Sequence, residues 1–226
     1  MAGTRPLNDG ELADLHAALL NAPPRDAALV RLMLNLGFRI SEMLALNVGD
    51  VWHSGAIRPR VRLNRARLKG GTGPWRRSVA SRTVIMNAAA RSALEEFLFS
   101  RFGSAGPTDA DAAGPLFRSR KGGRLSLLAA NRAIARIMAA AGISSQNPGE
   151  LSSHALRKTF CTSVYRASGK DIMVVRAAMN HRHVTTTQAY LFADGEAVER
   201  AILAFGVSHA CTQNRRQDVV GALVAS

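Results

Sequence analysis

The sequence predicts a mainly α-helical protein with a small antiparallel β-sheet, an α+β fold class. Apolar residues recur at helical spacing in capped segments along most of the chain. One stretch, Ile57 to Asn87, instead alternates strand formers and charged residues around a glycine-rich turn. Size fits as well: 226 residues, 47% of them hydrophobic, suffice for one large domain or two small ones with an ample core.

The first helix is expected from Asn8 to Asn21, capped by Asn8 or Asp9, with Leu12, Leu15 and Leu19 on one face. Pro23-Pro24 ends that unit. A strongly apolar helix then runs from Arg25 to Leu36 and breaks at Gly37; a further helical turn covers Ser41 to Leu46. In the strand region Val61 and Leu63 alternate with arginines, and Val79, Thr83, Val84 and Ile85 are strand formers. Lys69-Gly70-Gly71-Thr72-Gly73-Pro74 is a turn by composition, so Lys69 starts a hairpin loop. Asn87 caps a helix to Phe102 whose Ala90, Leu94, Phe97 and Leu98 face the core. Gly103 to Pro115, rich in small residues and aspartate, is expected to be an exposed loop.

Ser126 to Ala141 is a second amphipathic helix, with Ala130, Ile134, Ile137, Met138 and Ala141 as its apolar stripe and Gly142 as its stop. Ser152 or Ser153 caps the helix that carries His154 and Arg157, and Gly169 ends it. A short helix from Asp171 to Met179 leads to His181. Thr185 and Gln188 fit a T-x-x-Q capping box for a helix that begins just before Tyr190.

Net charge is where the composition departs from the ordinary. Thirty Lys and Arg against sixteen Asp and Glu give +14, and only four of the thirty are lysines. That surplus points to a polyanionic partner. Arginine suits bidentate phosphate contact, although genome composition also produces such a bias. No apolar run reaches the roughly 18 residues a spanning helix needs, which argues against a membrane protein. The first ten residues lack the apolar core of a secretory signal. Cys161 and Cys211 show no metal-ligand spacing, so a reduced, cytoplasmic protein is expected. His181 and His183 form an H-x-H pair without cysteine or carboxylate ligands nearby, too little to define a metal site.

The chemistry-bearing residues form an ordered series. His154 and Arg157, three apart, share a helix face and can converge on one anion. They sit at a helix N-terminus, where free N–H groups and the positive dipole end favour phosphate. His181 and then Tyr190 follow. Arg39, beside a glycine between two buried helices, is oddly placed for a solvated charge, and Glu42 is spaced to orient it. A buried ion pair without a catalytic role fits those two residues equally well. Lys69 is the sole lysine before Lys121, and a loop lysine is usually only solubilising. Arg132 and Arg136, one helical turn apart, fit either a DNA backbone or a solvated basic face. Tyr165 reads as packing, and His16, His53 and His209 belong to no constellation. The series as a whole reads as an enzyme acting on nucleic-acid phosphodiesters.

These residues resemble the catalytic domain of the tyrosine recombinases, also called the phage integrase family. G-F-R-I-S-E-M-L-A-L is similar to that family's G-L-R-I-S-E-L-type box, and S-H-A-L-R-K-T-F to its H-x-L-R-H-T-F box. M-N-H-R-H-V-T-T-T-Q-A-Y is similar to L-G-H-x-x-x-x-T-x-x-Y, and the P-L-F and A-G-I segments fall in order between them. The match spans Pro6 to Phe205. Lys158 stands where the family often has histidine, Met179-Asn180 replaces Leu-Gly, and the segment from Lys69 to Arg82 is longer than the usual hairpin. Relatives usually carry an N-terminal helical domain that closes around DNA. With Arg39 so early, a naturally minimal recombinase, a partner that supplies the clamp, or a truncation is expected.

The resemblance implies the recombinase catalytic fold over residues 1–205, with 206–226 as a C-terminal tail docking between subunits. Disorder of that tail, or packing on its own domain, fits the sequence equally well. The resemblance also implies a site-specific recombinase that cleaves and rejoins DNA through a 3′-phosphotyrosyl intermediate. Its catalytic residues would be Arg39, Lys69, His154, Arg157, His181 and Tyr190, supported by Glu42, with Arg132, Arg136, Lys158 and Arg182 on the DNA. The expected partner is double-stranded DNA, bound by a dimer or tetramer. No cofactor is expected, because a tyrosine ester conserves the energy of the broken bond. The rival readings are type IB topoisomerase-like relaxation and a non-catalytic DNA-binding accessory protein.

Overall fold

Side-chain caps decide where most of the helices begin. In this computed structural model, which describes residues 4–64, 81–144 and 152–180, α1 (Asp9–Leu19) starts from Asn8. The Asn8 side chain accepts from the Glu11 N–H while Glu11 reaches back to the Asn8 N–H, a capping box. Helix α2 (Pro24–Leu36) carries proline at its first position, where a missing N–H costs nothing, and closes on Gly37 with φ 58°. Two short helices follow, α3 (Ile40–Leu44) and α4 (Val48–Val51). Arg39 is therefore the cap residue of α3, which starts and ends earlier than the expected Ser41 to Leu46.

Strands β1 (Trp52–His53) and β2 (Ala56–Ile57) form a tiny hairpin, too short for alternation to announce. The expected sheet is β3 (Arg60–Leu63) against β4 (Arg82–Ile85), antiparallel, with Leu63 opposite Arg82. Beyond it lie α5 (Ala88–Phe102), α6 (Leu127–Ala140), α7 (Ser153–Ala167) and α8 (Ile172–Met179). Asn87, Ser126, Ser152 and Asp171 cap the last four through their side chains. The architecture is mainly helical with small antiparallel sheets, as the sequence implies. Val79, the capping box at Thr185 and Gln188, Cys211 and the expected domain boundary after 205 lie outside the described residues.

Helix α2 is buried on nearly every side: Leu29, Leu32, Met33 and Leu36 are closed to solvent, and α5 and α7 pack along it. Burial of this many aliphatic side chains, each worth about 1.5–3 kcal/mol, makes α2 the platform of the domain. Its exit is fixed sterically. A Cβ on Gly37 would drive into the Phe160 ring of α7, and the left-handed φ already disfavours any larger residue.

Residues 103–115 are the largely exposed loop expected, and they also make contacts that spacing does not announce. The Val48 and Gly49 amides, orphan donors in the first turn of α4, bond the carbonyls of Gly114 at 3.0 Å and Ala112 at 2.9 Å. The Trp52 indole donates to the Pro107 carbonyl at 3.0 Å, and Gly106 lies buried beneath the ring. Small residues let this segment approach closely enough to cap a neighbouring helix.

Candidate active site

The C-terminal ends of α2 and α8 meet, and each brings carbonyls without intrahelical partners and the negative end of a helix dipole. Two guanidinium groups bridge them. Arg157, from the first turns of α7, donates through Nη1 to the Gly37 carbonyl and through Nη2 to Met179 at 3.3 Å. Arg82, the first residue of β4, donates through Nη2 to the Ala178 carbonyl and, at 3.5 Å, to Leu36. Its guanidinium also lies over the Phe38 ring, 5.1 Å from the centroid.

One carboxylate serves this assembly. Glu42 accepts from the Arg39 backbone N–H at 2.8 Å and from Arg39 Nη1 at 2.8 Å. Its Oε2 also faces Arg82 Nη1 at 3.9 Å and Arg157 Nη1 at 4.0 Å. Among the described residues three guanidinium charges thus face one carboxylate, a surplus of two within that set. The Glu42, Arg157 and Arg82 side chains are 1%, 1% and 5% exposed, while Arg39 is 33% exposed. Burying guanidinium groups is expensive unless they are well bonded, and here helix-end carbonyls and Glu42 hold the two buried ones while Arg39 keeps a partly exposed head.

His154 stands at the second position of α7, and its backbone N–H bonds the Ser152 hydroxyl oxygen at 3.3 Å. Partial burial, followed by the nearby charges of Arg157, Arg39 and Lys158, holds its pKa below the usual histidine value. An imidazole in that field is neutral at neutral pH and free to accept a proton. The Lys158 pKa is also lowered, chiefly by burial. The Cys161 thiol, buried within α7, is pushed up to about 11 and is chemically quiet.

The structure brings Arg39, Glu42, His154 and Arg157 into one neighbourhood. His154 and Arg157, the two side chains that share one face of α7, differ in burial. His154 is exposed, whereas Arg157 is turned inward onto helix-end carbonyls. Arg132 and Arg136 sit elsewhere, exposed on α6, and Arg136 bonds Asp26 at 3.3 Å. Lys69, His181, Arg182 and Tyr190 lie outside the described residues. Arg82 is the member that sequence reading missed. Its signal was present: a strand arginine whose partner across the ladder is the buried Leu63 shares the inward face. Among the described residues no group of three His, Cys, Asp or Glu is placed to hold a metal ion, and no helix is long and apolar enough to cross a membrane.

A mainly helical domain with a buried arginine-rich centre around one carboxylate is the class that fold and site define. Residues 6–196 match the phage integrase family, and the chain belongs to it. It is 34% identical over 172 residues to the tyrosine recombinase XerC of Rhodospirillum centenum, covering 76% of this chain and 43% of that protein. It is 31% identical over 166 residues to the tyrosine recombinase XerD of Corynebacterium glutamicum, covering 74% of this chain and 47% of that one. The crystal structure of XerA recombinase matches with a TM-score of 0.66 and 26% identity, over 90% of this chain and 64% of that one. The chain spans about half the length of the curated relatives it matches.

Proposed function

We propose that this chain cleaves and rejoins DNA strands at specific sites through a covalent tyrosine intermediate. The observation that carries the reading is the surplus of two guanidinium charges around buried Glu42, reaching solvent mainly at Arg39. A phosphodiester anion resists an oxygen nucleophile until its charge is offset. The charge grows on the non-bridging oxygens as five-coordinate phosphorus forms, so a fixed cationic centre favours the transition state over the ground state. Family membership and the recombinase names of the relatives support the same chemistry.

In the proposed reaction the Tyr190 hydroxyl oxygen attacks the scissile phosphorus and the bond to the 5′-oxygen breaks. The products are a 3′-phosphotyrosyl link and a free 5′-hydroxyl. A phenol of pKa about 10 needs a base or a strong positive field. Neutral His154 takes its proton, and Lys69 gives one to the leaving 5′-oxygen. Arg39 contacts the non-bridging oxygens first. Arg157 reaches them by exchanging the Gly37 or Met179 carbonyl for a phosphate oxygen, and His181 completes the cradle. Rejoining reverses these steps with another strand's 5′-hydroxyl, so neither metal nor nucleotide enters the balance.

Double-stranded DNA is the proposed partner, bound by a dimer or tetramer inside the cytoplasm. Residues 1–205 form the proposed catalytic domain, and 206–226 dock between subunits. Arg132, Lys158 and Arg182 meet the DNA backbone. Arg136, already on Asp26, does so by sharing that carboxylate.

Capture from nicked suicide duplexes of randomised sequence tests the proposal. The full chain should yield a covalent adduct on a preferred sequence, and Tyr190→Phe should abolish it. An adduct that survives the substitution removes Tyr190 from the mechanism. Relaxation of any supercoiled plasmid without sequence preference would favour topoisomerase-like action.

A further inference from the structure

Arg82 has no place in the proposed reaction, yet it is built into the same centre. Its side chain is 5% exposed, one Nη serves the carbonyls of Leu36 and Ala178, and the plane covers Phe38. The other, Nη1, has no hydrogen-bond partner among the described residues and faces Glu42 Oε2 at 3.9 Å. A clamp on two helix ends needs donors, not charge. Arg157 already supplies such donors to the adjacent carbonyls of Gly37 and Met179. Burying a second guanidinium beside the first is electrostatically unfavourable unless the charge itself has a use. Desolvation, followed by repulsion from Arg157, lowers the Arg82 pKa to about 10, which leaves it charged at neutral pH.

The distances indicate that use. Arg82 and Arg157 both crowd the Oε2 side of Glu42, at 3.9 and 4.0 Å, too long for hydrogen bonds. Oε1 remains for the 2.8 Å bond to Arg39 Nη1, the half-buried head that opens the site. We propose that Arg82 is a positioning residue of the phosphate centre: acting through Glu42, it sets the Arg39 guanidinium and sustains the charge surplus that the scissile phosphate offsets. It does not touch DNA. Without it Glu42 neutralises a larger share of Arg39 and Arg157, and the surplus falls from two to one.

The inference rests on the DNA-cleaving function proposed above, and a change of linkage tests it. A methylphosphonate replaces one charged non-bridging oxygen with a neutral methyl group, so one unit less negative charge is left for the arginines to offset in both ground and transition state. The full chain, Arg82→Gln and Arg82→Lys are each given the captured suicide duplex with either linkage at the scissile position. Adduct formation is followed at saturating duplex, with thermal unfolding alongside. On the phosphodiester Arg82→Gln should be slower by roughly 10–100-fold, less than the ~10²–10³ for a contacting donor. On the methylphosphonate that loss should shrink to within about threefold, since only the charge-offset step is impaired. Arg82→Lys keeps the charge but loses the two-carbonyl fork, and should stay close to the unaltered chain on both linkages.

Equal losses on the two linkages, or none on either, would overturn the proposal. Should Arg82→Gln fail to fold, Arg82→Lys decides. A lysine variant that is slow on both linkages, or does not fold, assigns Arg82 to a clamp alone. No adduct from the unaltered chain would be a different result, overturning the proposed function and this inference with it.

Discussion

Among the described residues two buried carboxylates, Asp26 and Glu42, gather arginines, and their surroundings differ. Asp26, in the first turn of α2, is met by Arg25 at 2.7 Å and Arg136 at 3.3 Å, whose side chains are 28% and 72% exposed. Their charge is screened by water and costs little to hold. Glu42, at the other end of the same platform, is met by three guanidinium groups, two of them sealed from solvent. There, among the described residues, one carboxylate faces three guanidinium groups, and water screens the two buried ones little. The composition alone makes the two groups alike; burial of Arg82 and Arg157 is what sets the centre at Glu42 apart, and the proposed function draws on that difference.

Substitutions should separate the two regions most sharply in the cleavage rate. Arg39→Gln should cost on the order of 10²–10³ in adduct formation, while Arg136→Gln should stay within a few-fold. Stability should divide them next. Glu42→Gln removes the one carboxylate among three guanidinium groups and should cost about 3–5 kcal/mol in urea unfolding, against roughly 1 kcal/mol for Asp26→Asn with its solvated partners. If both carboxylates prove equally dispensable, the comparison fails on its physical premise.

Gly37→Ala probes the platform that aims the centre. The new methyl group meets the Phe160 ring at a left-handed φ, so a loss of about 1–3 kcal/mol is expected in the same unfolding assay. The Gly37 carbonyl bonds Arg157, so adduct formation should slow as well.

Smallest in energy is the titration of His154. Burial first, then the charges of Arg157, Arg39 and Lys158, lower its pKa in the folded state. As pH falls, the unfolded chain therefore takes up this proton first, near the ordinary pKa of about 6.5. The stability His154 contributes is present above that pH and is lost as pH drops towards the folded value. Imidazole resonances followed by NMR should show a midpoint below 6.5, and Arg39→Gln should move it upward by removing one repelling charge. An unmoved midpoint would place His154 outside the field of the centre.

Local chemistry made much of this legible in the sequence. The helix from Asn87 to Phe102 is written in its cap, its apolar spacing and its terminal glycine. The Arg39–Glu42 pair is written in a three-residue spacing beside a helix break. What escaped was set by contacts between distant residues. The direction of Arg157 depends on carbonyls at positions 37 and 179, and spacing tells only that it shares a face with His154. Arg82 depends on residues 36, 42 and 178, none of them near it in the chain. The segment 103–115 reads as loop because its letters are small, yet that smallness is what lets it cap α4.

Single-turnover cleavage by Arg39→Gln, set beside Arg136→Gln on phosphodiester and methylphosphonate duplexes, tests the role of the Glu42 centre most directly. The Arg39 loss should nearly vanish on the neutral linkage, and the small Arg136 effect should be the same on both. An Arg39 variant equally impaired on the charged and the uncharged linkage would contradict it.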